Sequence, residues 1–199
     1  MNIYLESNFV LELALLQEEQ ESCERILALC ESGRAILIIP AYAFAEPNET
    51  LIRRDRDRKQ LARELQIEFG QLSRSTINRM SGDAFQTVLS LLAVSGEQQK
   101  QRFADIRDRL LQVAEVIPLD RSVLSLAAAY EGQFSLSPQD ALVFASVLQH
   151  LDANASLSCF LTRNSEDFDD ARIRAVLVQR NCKLLFKFSD GYDYIRSQI

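Results

Sequence analysis

Short apolar runs alternate along this chain with stretches in which apolar residues recur every three or four positions. The runs NIYLE at 2–6, AILII at 35–39, VIP at 116–118, LSCFL at 157–161 and KLLF at 183–186 predict five strands. The three- and four-residue spacing predicts helices between them. Leu61, Leu65, Phe69 and Leu72 set it over 59–72, Phe103, Ile106, Leu110 and Val113 over 101–115, and Val123, Leu126, Ala127 and Tyr130 over 120–132. Ser137 followed by Pro138 marks a helix start, with serine as N-cap and proline in the first helical position. The helix after it, DALVFASVLQHL, is apolar on nearly all sides and is expected to be the most buried of the domain. Short apolar strands separated by helices predict an α/β fold with a parallel sheet covered on both faces.

Roughly seventy-five residues between the second and third strands carry no strand signal. They predict two or three helices, broken near Gly82 and Gly96, which is long for one crossover. The expectation is a single domain over 1–199 with a helical insertion or arm at about 53–115. No internal repeat, low-complexity segment or flexible linker divides it.

Composition narrows the class. With 47% hydrophobic and 25% charged residues the chain has the balance of a globular protein, and at 199 residues its core needs no staple. The four cysteines form no C-x-x-C pair and His150 is the single histidine, so the spacing of a zinc site is missing. Cys23, Cys30, Cys159 and Cys182 sit in apolar surroundings and read as small core residues in a reducing compartment. The longest apolar runs are too short to span a bilayer, and MNIYLES lacks the pattern of a secretory leader. A cytoplasmic protein with no membrane partner is expected. The net charge of −6 argues against a broad basic surface for nucleic acid. It leaves room for an enzyme in which a metal supplies positive charge locally.

In open α/β sheets ligands bind at the carboxyl ends of the strands. Glu6 ends the first strand, with Ser7 and Asn8 next; Glu46 follows the second by about a turn and a half of helix. Asp140 lies in the first turn of the buried helix, and the fourth strand runs into Thr162, Arg163, Asn164 and Asp167. Taken singly, each has an ordinary reading: Asp140 in a capping box with Ser137, Asn164 and Asp167 as turn or cap residues, Glu6 and Glu46 as solvated positions. Taken together they converge on one sheet edge. Carboxylates gathered without a cation repel one another and take up protons, so the cluster points to a hard divalent ion, Mg²⁺ or Mn²⁺.

The segments YLESNFVLEL, IPAYAFAEPNETL, LSPQDALVFASVL and FLTRNSEDF, in this order, resemble those of the PIN-domain nuclease family over about 1–52 and 119–170. The resemblance implies a three-layer α/β/α sandwich around about five parallel strands. It also implies a metal-dependent ribonuclease of the kind that forms the toxin of a toxin–antitoxin pair. Glu6, Glu46, Asp140 and Asp167 match its acidic catalytic positions, with Glu6, Asp140, Asn164 and Asp167 as metal ligands. Asn8 and Thr162 match positions that support the site. An RNA substrate, an antitoxin protein and a homodimer, the last through the Leu-rich helices at 61–72 and 85–92, are the implied partners. Two departures stand out: Glu6 occupies a position the family fills with Asp, and Pro47 follows Glu46, where a kink is expected to re-aim the carboxylate.

The stretch RRDRDRK from Arg53 to Lys59 reads first as a solvated helix face of mixed charge; Arg53 and Arg54 are also the best candidates for contacts to substrate phosphates. Besides the nuclease, two alternatives are open. One is a degenerate, non-catalytic member that binds a protein, motivated by Glu6 and Pro47. The other is a different α/β enzyme for a nucleotide, which the lack of any G-x-G-x-x-G or P-loop disfavours.

Overall fold

The computed structural model describes residues 1–74 and 82–199. Five parallel strands form one sheet in the order β3-β2-β1-β4-β5: β1 (Asn2–Leu5), β2 (Ile36–Pro40), β3 (Glu115–Ile117), β4 (Ser158–Leu161) and β5 (Cys182–Leu185). Each predicted strand is present, within a residue or two of its expected bounds. The helices are α1 (Ser7–Leu15), α2 (Gln20–Glu31), α3 (Tyr42–Leu72), α4 (Gly82–Val113), α5 (Arg121–Phe134), α6 (Pro138–Ala153), α7 (Ser165–Phe168), α8 (Ala171–Val178) and α9 (Phe188–Gln198).

Alternation along each strand builds the layers, because successive side chains point to opposite faces. Ile3, Leu5, Leu37, Ile39, Cys159 and Leu161 meet α1, α2, α9 and part of α4 in one apolar cluster. Tyr4, Ile38, Phe160 and Leu184 meet α5, α6 and α8 in the other. Both faces are covered, which is why the strands are apolar on both sides. The fold is the expected three-layer α/β/α sandwich.

On α6, Ala141, Val143, Phe144, Ala145, Val147, Leu148 and Leu151 are all buried, as its apolar sequence predicts. Ser146, also buried, donates its hydroxyl to the Leu142 carbonyl at 2.8 Å, which pairs that group. All four cysteines are buried and free, as expected of core residues.

The segment between β2 and β3 differs from expectation. Residues 75–81, next to the break expected near Gly82, lie outside the described residues. No break occurs at Gly96: α4 runs through it. The glycine serves close approach instead. α3 and α4 pack side by side, and a Cβ at Gly96 would stand 2.4 Å from Asp55 Oδ1. That carboxylate accepts from Lys59 Nζ at 2.9 Å and Lys100 Nζ at 3.0 Å, tying the two helices together. Nearer the sheet the pair joins the core through Leu51, Phe103 and Leu110; farther out it exposes Ile67, Leu72 and Leu91.

Pro47 does not end its helix. α3 is continuous over 31 residues, although proline leaves the Ala43 carbonyl without its helical partner. No helix among the described residues is long and apolar enough to cross a membrane.

Candidate metal and nuclease site

The sheet order creates the site. From β1 the chain steps outward to β2 and β3, then returns to lay β4 on the other side of β1. The direction of winding therefore reverses between β1 and β4, and the crevice beyond their carboxyl ends is where an open α/β sheet receives a ligand. Leu5 pairs in register with Leu161, so the next residues, Glu6 and Thr162, stand side by side. Thr162 Oγ1 donates to Glu6 Oε1 at 2.7 Å, and Asn8 Nδ2 donates to the same oxygen at 2.5 Å. Glu6 is 4% exposed and Thr162 1%. Glu6 also occupies the N-cap position of α1, but its carboxylate makes no capping bond; it is committed to the crevice.

A cleft of about 410 Å³ opens here, and Glu6, Asn8, Glu46, Asp140 and Asn164 all line it. Glu46 reaches it from α3 despite Pro47, and Ser7 Oγ donates to Glu46 Oε2 at 2.6 Å. Asp140 enters from the first turn of α6, where Ser137 Oγ accepts from the Asp140 amide at 3.2 Å and donates to its Oδ2 at 2.5 Å. Asp140 therefore both takes part in the cap with Ser137 and lines the cleft. Asn164 bridges the remaining pair: its Nδ2 donates to Asp140 Oδ1 at 3.0 Å and to Asp167 Oδ2 at 2.7 Å. The Asn164 amide in turn donates to Thr162 Oγ1 at 2.9 Å, so one threonine hydroxyl fixes both the Glu6 carboxylate and the loop that carries Asn164.

The electrostatics follow from burial. Loss of solvent pushes the Glu6 carboxyl up to about 7; Thr162 and Asn8 oppose the shift, and the charges of Glu46 and Asp140 add to it. Burial also raises Asp140; Ser137 opposes this and the nearby Asp167 adds to it. Arg163 is the one basic residue among the cleft's described lining, and it is engaged elsewhere, with Glu12 and Glu18.

The donor chemistry fits a hard divalent cation: carboxylate and amide oxygens, an excess of negative charge, and carboxyls pushed toward protonation first by burial and then by one another. The carboxylates are nevertheless held by neighbouring polar groups, Glu46 by Ser7, Asp140 by Ser137 and the pair Asp140 and Asp167 by Asn164. Among the described residues no group of three or more His, Cys, Asp or Glu side chains is arranged to hold a metal ion.

Arg53 and Arg54 do not line the cleft; they are exposed on α3, one helical turn beyond Thr50 and about two beyond Glu46. The same stretch holds the buried Asp55, so part of RRDRDRK is an interhelical clamp rather than a solvated face. Sequence reasoning missed one feature. Glu12, 1% exposed, accepts from Arg163 Nη1 and, at 3.0 Å, from the Glu19 amide. A lone glutamate inside the apolar stretch FVLELALL was the available signal.

The family comparison agrees with this fold. The sequence profile described as PIN domain matches residues 3–168. No curated protein matches the chain by sequence. Among solved structures the chain is similar to one in the crystal structure of VapBC2 from Rickettsia felis bound to a DNA fragment from their promoter. The TM-score is 0.46 at 14% identity, over 93% of this chain and 98% of that one.

Proposed function

The chain belongs to the PIN-domain family, and from that premise we propose that it is a metal-dependent endoribonuclease, the toxin of a toxin–antitoxin pair. The observation that carries this reading is the gathering of Glu6, Glu46 and Asp140 around one cleft at the switch point of the sheet, with Asn164 joining Asp140 to Asp167. Glu6, Asp140, Asn164 and Asp167 would hold Mg²⁺ or Mn²⁺. The cation, when bound, lowers the pKa of a water and offsets charge building up on the scissile phosphate.

The chain's own residues do the rest. Thr162 and Asn8 hold the Glu6 carboxylate by one oxygen, which fixes its orientation toward the cleft. Ser7 holds Glu46, which is placed to orient a water or take its proton. Arg53 and Arg54, beyond Glu46 on α3, supply contacts to the RNA backbone outside the cleft. The proposed setting is the cytoplasm, with RNA as substrate, an antitoxin protein as partner and a homodimer as assembly. The extra helical length of α3 and α4 forms an arm within a single domain.

One observation favours a second reading. The carboxylates are held by protein donors, Glu6 by Thr162 and Asn8, Glu46 by Ser7, Asp140 and Asp167 by Asn164, with no described group of three arranged for an ion. A degenerate member that binds a protein and cleaves nothing would have this arrangement. The two readings separate on one experiment: cleavage of fluorescent single-stranded RNA with Mn²⁺, with and without EDTA, for the wild type and Asp140→Asn. The nuclease reading expects cleavage that EDTA abolishes and that Asp140→Asn lowers by at least about a hundredfold. Full activity in EDTA or in Asp140→Asn would sink the metal mechanism. No cleavage, together with no Mn²⁺ binding by calorimetry, would establish the degenerate reading.

A further inference from the structure

At the far edge of the sheet, β5 pairs with β4 alone among the described residues. Ser158 donates its amide to the Asn181 carbonyl at 3.0 Å and Thr162 to the Leu185 carbonyl at 3.1 Å. Backbone groups alternate in direction along a strand. Asn181, Lys183 and Leu185 therefore turn their N–H and C=O groups toward β4, and Cys182 and Leu184 turn theirs to the open side. A groove of about 410 Å³ runs along this side, between α8 and α9. Cys182 and Leu184, 2% and 7% exposed, form its floor. Recessed backbone groups without a partner are costly and ready to be paired.

The walls say what would pair with them. Val178 on α8 is 69% exposed, the most exposed of the large apolar side chains described, and Leu157 is 42% exposed. The charged residues lining the groove are Arg174, already paired with Asp169 at 2.7 Å, and Lys183, with no carboxylate among the lining, in a chain whose net charge is −6. Lys183 Nζ lies 4.3 Å from the centre of the Tyr194 ring and has no carboxylate partner among the described ion pairs. We propose that this groove is a docking site for an extended acidic peptide of a partner protein. The peptide adds a strand beside β5, with alternate apolar side chains against Val178 and Leu184 on one face and carboxylates toward Lys183 on the other. A second copy of this chain fits less well: antiparallel pairing of two β5 edges centred on Lys183 would oppose like charges. The groove shares no residue with the acidic cleft, so the proposal stands apart from the nuclease reading.

The test is fluorescence anisotropy on the full chain with a short labelled peptide that alternates valine with aspartate. Two controls accompany it: the same peptide with lysine for aspartate, and the acidic peptide N-methylated at alternate positions to remove the donors that face β5. The acidic peptide is expected to bind at least about tenfold more tightly than either control. Lys183→Glu and Val178→Asp, both at exposed side chains, are each expected to weaken it by a similar factor while circular dichroism and RNA cleavage stay unchanged. Equal binding of the acidic and basic peptides, binding indifferent to N-methylation, or binding of none of the three would overturn the proposal. So would a concentration-dependent dimer in analytical ultracentrifugation that Val178→Asp dissolves, since a second copy would then fill the groove.

Discussion

Thr162 donates its hydroxyl to Glu6 Oε1 at 2.7 Å across 156 residues of sequence. The bond exists because β1 and β4 are neighbours in register, and it joins the two sides of the switch point. Both groups are buried, so the threonine sets where the carboxylate points and how readily it ionises.

The first expectation concerns pH. In metal-free protein the Glu6 carboxyl sits at about 7, above its ordinary value of 4.5, mainly through burial. The folded state then holds this proton more tightly than the unfolded chain. The contribution to stability is complete below about pH 4.5, falls as pH rises and is lost above about 7. Denaturant titrations in EDTA at pH 5 and pH 8 check it. Glu6→Gln is expected to remove this slope and to be more stable than the wild type at pH 8 by on the order of 2–3 kcal/mol. Thr162→Val, which deletes an opposing hydrogen bond, is expected to steepen it. An unchanged slope in Glu6→Gln would show that another group carries the pH dependence.

Arg163 lines the acidic cleft, yet its guanidinium is bound to Glu12, which is 1% exposed. Arg163 is 41% exposed, so its loss leaves only the buried Glu12 carboxylate without its partner. Arg163→Met is expected to cost about 1–3 kcal/mol in urea unfolding, and the double variant Arg163→Met/Glu12→Gln to recover much of that loss. Additive losses in the double-mutant cycle would mean the two side chains act independently.

Gly96 faces the Asp55 carboxylate, which is held by Lys59 and Lys100. Alanine is the better helix former by about 1 kcal/mol, but its methyl group would displace that carboxylate. Gly96→Ala is expected to gain close to that amount in an Asp55→Ala background and clearly less in the wild type. The difference, read from urea midpoints, measures the clamp between α3 and α4. Equal gains in both backgrounds would count against close approach as the reason for the glycine.

Arg53 and Arg54 are exposed and appear in no described ion pair. Alanine at both is expected to weaken binding of single-stranded RNA in EDTA, to lessen its salt dependence and to leave the melting temperature unchanged. An unchanged salt slope would return this stretch to an ordinary solvated face.

Much of this was legible in the chain itself. Apolar runs and three- to four-residue spacing located every strand and the buried α6, because burial on two faces of a parallel sheet demands continuous apolar residues. Ser137 and Pro138 placed the start of α6, since capping is a local matter. Glu6 directly follows a strand, Asp140 and Asn164 stand at helix starts and Glu46 lies a little over a turn into the helix after β2, so all four could be nominated, and the fold brings them to one cleft. Three things were decided only by tertiary structure. Glycine and proline act locally as breakers, yet α4 continues through Gly96 and α3 through Pro47, because contacts between the helices outweigh single-residue preferences. Glu12 meets Arg163 across 151 residues, a partnership that no local pattern encodes. And the pairing of Ser7 with Glu46, Ser137 with Asp140 and Asn164 with both Asp140 and Asp167 depends on side-chain distances below 3.5 Å. Spacing in sequence can bring carboxylates to the same edge of a sheet; only packing sets how far apart they stand, and with it the charge each one carries.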